Sequence, residues 1–249
     1  MFSGFHDRRE AGRILAQRLV TNYAGRSDLL VLALPRGGVP VGYEVATALS
    51  APLDVFLVRK LGVPGHEEFA MGAIAGGGIR LVNAEVVRTL EIDETLIDAV
   101  IEREERELAR REALYRGHGA GPSVAKRTVI LVDDGLATGS TMQVAVTALR
   151  AQQPARIVVA VPIAARPACE ALSTFVDEII CVETPEPLHA VGFWYEDFRQ
   201  TSDEQVCELL QLSRAARPPT DGHEPSAKKS EPPPEHDDEP REFQARRAS

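Results

Sequence analysis

Cysteine, histidine and aromatic residues are scarce in this chain, and each shortage removes a class of function. The three cysteines, Cys169, Cys181 and Cys207, are odd in number and lie in or beside apolar patterns, which argues for reduced thiols and against a disulfide framework. None of the six histidines is spaced with a cysteine or another histidine to complete a metal site. Aromatic residues make up only 5% of the chain, so any local concentration of them stands out. A basic excess is missing as well. The formal charge of −9 argues against broad nucleic-acid binding through a basic face, while leaving room for a locally positive pocket. No long apolar run occurs near the amino terminus, where Phe5-His6-Asp7-Arg8-Arg9-Glu10 is charged, so neither a secretory signal nor a membrane span is expected. The expected location is cytoplasmic, with no membrane partner. No internal repeat is visible.

What is present is enough apolar material, 44% of 249 residues, for one moderate α/β domain. That domain is expected over residues 1–214. From Ala215 to Ser249 proline, lysine and acid replace the apolar pattern, as in Pro232-Pro233-Pro234-Glu235-His236-Asp237-Asp238-Glu239, and this tail is expected to be disordered. Within the domain, apolar runs alternate with helical periodicities. Strands are expected at Leu29–Leu34, Leu53–Val58, Val129–Val132, Arg156–Val161 and Glu178–Val182. Helices are expected at Asp7–Tyr23 (burying Ile14, Leu15, Leu19 and Val20), Val39–Leu49, Asp93–Tyr115, Met142–Leu149, Arg166–Leu172 and Ser202–Leu212. Such alternation specifies a parallel sheet with right-handed crossovers. The long helix Asp93–Tyr115 carries Glu102-Arg106 and Glu107-Arg111 at pairing distance; its charged face reads as solvated, with a homodimer surface as the alternative.

The most informative segment is Val129-Ile-Leu-Val-Asp-Asp-Gly-Leu-Ala-Thr-Gly-Ser-Thr141. A buried strand ends on two carboxylates, Asp133 and Asp134, and small residues then lead into a helix. The carboxyl end of a parallel strand is where open α/β sheets bind ligands. The helix start offers amides without intrahelical acceptors at the positive end of the dipole, which suits a phosphate. The lysine of a nucleoside triphosphate loop is missing. Two acids beside a phosphate cradle suit the hydroxyls of a ribose 5-phosphate with magnesium nearby. Read in fragments, the same residues are an ordinary Asp-Gly turn and a helix start capped by Ser140.

These thirteen residues resemble the fingerprint of the type I phosphoribosyltransferases, which binds the ribose and 5′-phosphate of phosphoribosyl pyrophosphate (PRPP). The resemblance implies the family's three-layer fold, a central parallel sheet with a small hood. It implies that Asp133 and Asp134 hold the ribose hydroxyls and, directly or indirectly, Mg2+, and that Ala137, Thr138, Gly139, Ser140 and Thr141 wrap the phosphate. Three further segments fall where the family has its working loops. Pro35-Arg36-Gly37-Gly38 follows the first strand, where glycines allow close backbone approach and Arg36 supplies forked donors for pyrophosphate. The resemblance implies a non-proline cis peptide between Pro35 and Arg36. Arg59 to Glu68 reads as a long, glycine-bearing charged loop, implied to be a mobile cover that brings Lys60, and less directly Arg59, to the pyrophosphate. His189-Ala-Val-Gly-Phe-Trp-Tyr195 concentrates aromatic residues, and position by position the resemblance implies acceptor contacts at His189 and Ala190, with Trp194 stacking or packing in the hood. Where enzymes of 6-oxopurines carry an aspartate, this chain has Ala137, which points away from a hypoxanthine or guanine acceptor.

The implied activity is Mg2+-dependent transfer of ribose 5-phosphate from PRPP to a nitrogenous base or related heterocycle, with Asp133, Asp134, Lys60 and Arg36 as the working residues. The alternative is a regulator that senses PRPP without turnover.

Overall fold

The structure, a computed structural model, describes residues 4–117, 119 and 121–216; of the tail expected to be disordered from Ala215, Ala215 is instead the last residue of a helix capped at Ala216, and residues 217–249 lie outside those described. Five parallel strands form the central sheet in the order β2-β1-β6-β7-β8. These are β1 (Leu29–Ala33), β2 (Leu53–Val55), β6 (Thr128–Val132), β7 (Arg156–Ile163) and β8 (Glu178–Glu183). Every residue of β1 and β6 is buried, as continuous aliphatic runs demand of strands covered on both faces. Their side chains alternate between two cores. Leu29, Val31 and Ala33 point to one, with α1 (Arg8–Tyr23), α2 (Gly38–Leu49), α4 (Glu94–Arg116) and α7 (Asp203–Ala215). Leu30 and Leu32 point to the other, with α5 (Ser140–Arg150) and α6 (Arg166–Leu172). The three-layer α/β fold is therefore as the sequence implies.

Expected and observed elements agree closely in the parallel sheet and its helices. Asp7 caps α1 by accepting from the Glu10 amide at 2.8 Å. The buried face of α1 differs from expectation: Val20 is 40% exposed, and Ala11, Gly12 and Ala16 take buried positions instead, because α1 lies close against α2 where small residues fit. On α4, Glu107 accepts from Arg111 at 2.7 Å, and Glu102 lies 3.7 Å from Arg106.

The larger correction concerns residues 53–82. The strand expected at Leu53–Val58 stops at Val55, and Arg59 to Glu68 is no loop. β3 (Val58–Val63), β4 (His66–Ala75) and β5 (Ile79–Val82) make a separate antiparallel sheet. Pro64-Gly65 is a two-residue turn between β3 and β4, with Gly65 at φ 77°. Proline followed by a glycine at positive φ is turn chemistry. The short α3 (Ala84–Thr89) follows, capped by Asn83. Among the described residues no helix is long and apolar enough to cross a membrane.

Candidate active site

The chain leaves β1 toward β2 on one side, while β6 pairs with β1 on the other. The loops after β1 and β6 therefore diverge at the strand-order switch point, where a crevice opens at the carboxyl ends. Pro35–Gly38 and Asp133–Thr141 are those two loops. The Leu34 amide donates to the Val132 carbonyl at 2.9 Å, which carries the β1–β6 seam one step beyond the strands.

At that seam the glycines are required by contact. A β-carbon on Gly37 would stand 2.1 Å from Oδ2 of Asp134, and one on Gly38 would stand 2.7 Å from the Val132 carbonyl oxygen and 2.9 Å from Cα of Asp133. Gly37 itself has ordinary helical angles, so close approach and not backbone freedom explains the residue. The Pro35–Arg36 bond is cis, as the resemblance implies.

The two acids sit in different surroundings. Asp133 is half-buried beside Asp134; burial first, and then the neighbouring charge, push its carboxyl well above the usual carboxylate range, against the Asp134 amide and Arg8. The Asp134 amide donates to Asp133 Oδ1 at 2.9 Å. Asp134 has its own counter-charge, accepting from Nε of Arg8 at 2.7 Å. Arg8 is fixed in turn, donating to the Arg199 carbonyl at 2.7 Å and lying 3.9 Å over the Phe198 ring. Tyr195 donates its hydroxyl to the Asp134 carbonyl at 2.6 Å, and burial holds that phenol protonated far beyond its usual range. Tyr195 closes the aromatic segment that the sequence singles out, but nothing there marks its bond to Asp134, and Arg8 reads only as one charge in a polar amino-terminal stretch.

Beyond Gly135, the loop is anchored by Leu136, whose amide donates to the Ile163 carbonyl at 2.9 Å and whose carbonyl accepts from Ala165 at 2.8 Å. Ala137 and Thr138 are exposed, and Gly139, at φ 74°, turns the chain into α5. Gly139 and not Ser140 occupies the cap position, and it has no side chain with which to cap the first turn of α5. The Ser140 amide reaches the Thr138 hydroxyl at 3.4 Å. Ser140 and Thr141 are exposed at the helix start.

The cationic candidates are spread around this crevice. Arg36 is part-exposed, with Nη1 3.8 Å from Oδ1 of Asp203, a carboxylate that also accepts from the Tyr115 hydroxyl. Arg59 and Lys60 are adjacent in β3 and so leave opposite faces. Arg59 points toward α4, where it pairs with the buried Glu104. It also lines a small pocket with Pro35, Arg111 and Thr141, while the Arg111 guanidinium pairs with Glu107. In the sequence Arg111 reads only as half of a surface pair, because helical spacing says nothing of what lies across the crevice. Lys60 is exposed on the face shared with Val58, which packs on the α5 side.

The 189–195 segment folds over the acids. Val191 sits 2.5 Å from where a β-carbon on Gly135 would stand, and His189 is exposed. Trp194 packs with Phe5, Ile163 and Tyr195, and its carbonyl accepts from the Phe5 amide at 2.7 Å. Phe193 is 81% exposed.

Residues 6–194 match the model of the phosphoribosyl transferase domain. Two curated proteins of Mycobacterium tuberculosis, Rv0571c of strain H37Rv and MT0597 of strain CDC 1551, are each 45% identical over 207 residues, covering 83% of this chain and 46% of theirs; both are named, provisionally, as phosphoribosyl transferases. The chain thus spans about half the length of the curated relatives it matches. The crystal structure of TT1426 from Thermus thermophilus superposes with a TM-score of 0.76 at 39% identity, covering 84% of this chain and 98% of that one. With the motif, the switch-point crevice and the domain match in agreement, the chain belongs to the phosphoribosyl transferase domain family.

Proposed function

We propose that this protein is a phosphoribosyltransferase that binds PRPP across the β1–β6 crevice and transfers ribose 5-phosphate to a nitrogenous base or related heterocycle, releasing pyrophosphate. One observation carries the reading: Gly37 and Gly38 press against Asp134 and Asp133, so a pyrophosphate-binding loop and a ribose-phosphate loop share one crevice with no room for a β-carbon between them.

In this reading the uncapped start of α5, with Thr138, Ser140 and Thr141, takes the 5′-phosphate. Asp133 and Asp134 accept from the ribose hydroxyls, and Arg8 orients Asp134 as its ion-pair partner. Arg36 and Gly37 face the pyrophosphate, the Gly38 amide being spent on the Leu34 carbonyl at 3.0 Å; Lys60 approaches from β3, and Arg59 and Arg111 line a small pocket with Pro35 and Thr141. The chain mainly positions groups and stabilises the leaving group. Val191, the exposed His189 and the part-exposed Ala190 form the acceptor wall, with Trp194 as its packed support.

Magnesium suits this donor set. Asp133 and Asp134 offer hard oxygens and negative charge, but among the described residues no three His, Cys, Asp or Glu side chains are grouped so as to hold a metal ion by themselves. Mg2+ commonly takes one or two carboxylates and fills its remaining positions with water and substrate phosphate oxygens. Asp133 and Asp134 would hold it directly or through water, and bound there it would neutralise charge on the departing pyrophosphate.

The test is pyrophosphate release from PRPP and Mg2+ by the full chain, across a panel of nitrogenous bases. Release that depends on one base supports transfer. PRPP binding by calorimetry without release across the panel would instead make the domain a sensor, and absence of both would remove the assignment.

A further inference from the structure

Under the phosphate loop, on the α5–α6 face of the sheet, two thiols meet. Cys169 in α6 and Cys181 on the edge strand β8 stand with their sulfurs 3.6 Å apart, and both are part-exposed. Cys207 belongs to the opposite face, where its thiol reaches the Leu114 carbonyl of α4 at 3.4 Å. The pair is only about 1.5 Å short of a disulfide bond length. α6 is seven residues long, so a small shift of one short helix would close that gap.

The two sulfurs differ in chemistry. The contact with the Cys181 thiol brings Cys169 down to about 7, opposed by burial and helped by the charge of Arg166 one turn earlier. The same contact, with burial, pushes Cys181 far up. An attacking thiol whose pKa lies near ambient pH is the most effective in thiol–disulfide exchange.

We propose that Cys169 and Cys181 are a reversible dithiol–disulfide pair that reacts with low-molecular-weight disulfides and, when closed, ties α6 to β8 beneath the phosphate loop. The Cys169 thiolate attacks one sulfur of a disulfide RSSR, forming a mixed disulfide and expelling RS−. The Cys181 sulfur then attacks the Cys169 sulfur, losing its proton, and expels the second RS−. Two protons from the cysteines complete two RSH; the protein loses two electrons and RSSR gains them. The link matters because α6 is the floor of the loop. Ala168, next to Cys169, and Leu172 lie 3.4 and 3.5 Å from where a β-carbon on Gly139 would stand. Fixing α6 to the sheet restricts how far Gly139 and its neighbours open.

The full chain, reduced and desalted, is incubated with oxidised glutathione, alkylated and mapped by peptide mass. The expected product is a Cys169–Cys181 link with Cys207 still alkylated, reversed by dithiothreitol, with slower hydrogen exchange of amides 137–141 in the linked form. Cys181→Ser should stop at a glutathione adduct on Cys169. Cys207→Ser, which leaves the pair intact, should behave as wild type. Alkylation of both Cys169 and Cys181 after oxidation, or links made to Cys207, would overturn the pair. An adduct forming on Cys181 in Cys169→Ser as fast as on Cys169 in Cys181→Ser would overturn the assigned order of attack. Linked protein with unchanged exchange at 137–141 would overturn the coupling to the loop. None of these readouts requires turnover.

Discussion

At the amino-terminal end of the parallel sheet Asp28 precedes β1; at the carboxyl-terminal end Asp133 follows β6, the strand paired with β1. The two aspartates are driven in opposite directions. Arg26 donates to Asp28 through Nε at 3.0 Å and Nη2 at 2.9 Å, the Thr128 hydroxyl donates at 2.7 Å, and these bonds hold the Asp28 carboxyl well below its usual range. Nearby, Glu178 accepts from Arg156 at 2.8 Å and from the Tyr23 hydroxyl. Asp133 has burial and a like charge instead, and its carboxyl is pushed up. One end of the sheet balances its charges internally; the other keeps a surplus that an incoming cation or hydroxyl can satisfy. Asp28 is thus an acid the fold satisfies, and Asp133 one that the fold leaves strained by burial and like charge, the pattern that marks a candidate site without reference to any motif.

The strongest way to break this contrast is a methyl group at each end. Gly38→Ala places its β-carbon against the Val132 carbonyl and the Asp133 backbone, which cannot move aside as a side-chain tip can. Overpacking of this kind costs about 1–3 kcal/mol, and PRPP binding should be lost with it. Gly25→Ala, near the other end, meets nothing within 4 Å, and its expected cost of about 1 kcal/mol comes from the positive φ of 76° alone. Denaturant midpoints with calorimetric PRPP titrations check both; equal losses for the two, with PRPP binding retained in each, would dissolve the distinction.

Next in size is the exchange of the acids themselves. Asp133→Asn removes a carboxylate that burial makes costly, so in chelator-treated buffer at neutral pH the variant should unfold at a higher temperature than wild type. Its PRPP affinity should nevertheless fall about 10–100-fold, the worth of a hydrogen bond to a charged group. Asp28→Asn should do the reverse, losing about 0.5–1 kcal/mol of stability through a part-exposed pair while leaving PRPP affinity alone. Matching signs for the two variants in thermal melts would contradict the contrast.

A further contrast, bounded by the affinity loss of Asp133→Asn, separates neighbours on β3. Arg59→Ala leaves Glu104, 7% exposed, to Arg103, whose Nε lies 3.0 Å from it, so about 1–2 kcal/mol of stability should go. Lys60→Ala, at an exposed position, should change stability by about 0.5 kcal/mol or less. It should weaken PRPP more than a product nucleotide, since only PRPP carries the pyrophosphate. Equal weakening of both ligands would reject that role for Lys60.

The same contrast shows what the sequence made legible. Strands buried on both faces must be aliphatic throughout, so Leu29–Ala33 and Thr128–Val132 can be placed within a residue, and Asp133–Thr141 follows from its position after such a strand. β3 hides its nature because its charged residues, Arg59 and Lys60, interrupt any apolar run, while Pro64-Gly65 reads equally as a loop or a turn. Arg8 lies 126 residues from Asp134, and Tyr195 lies 61; neither contact has a local signature, because long-range partners are chosen by the fold and not by spacing. Cys169 and Cys181 are readable as reduced apolar-pattern thiols, but their meeting across α6 and β8 is not.

The finest test of the two ends is the pH dependence of stability. A carboxyl depressed in the folded state contributes stability that is complete above its unfolded pKa of about 3.9 and is lost as pH falls through the folded value. Asp28 therefore belongs to the acid limb, and the gap in melting temperature between wild type and Asp28→Asn should narrow steadily below about pH 4 as both forms become uncharged. A carboxyl raised in the folded state acts with the opposite sign: it contributes nothing at low pH and destabilises as pH rises through the unfolded value toward its folded one. The gap between Asp133→Asn and wild type should accordingly open as pH rises from about 4. Because the two windows lie on opposite sides of the unfolded carboxyl value, melts taken in chelator across acid and neutral buffers resolve the residues independently, even though each effect is small. A gap for Asp28→Asn that widens toward acid would place an unpaired carboxyl at the wrong end of the sheet.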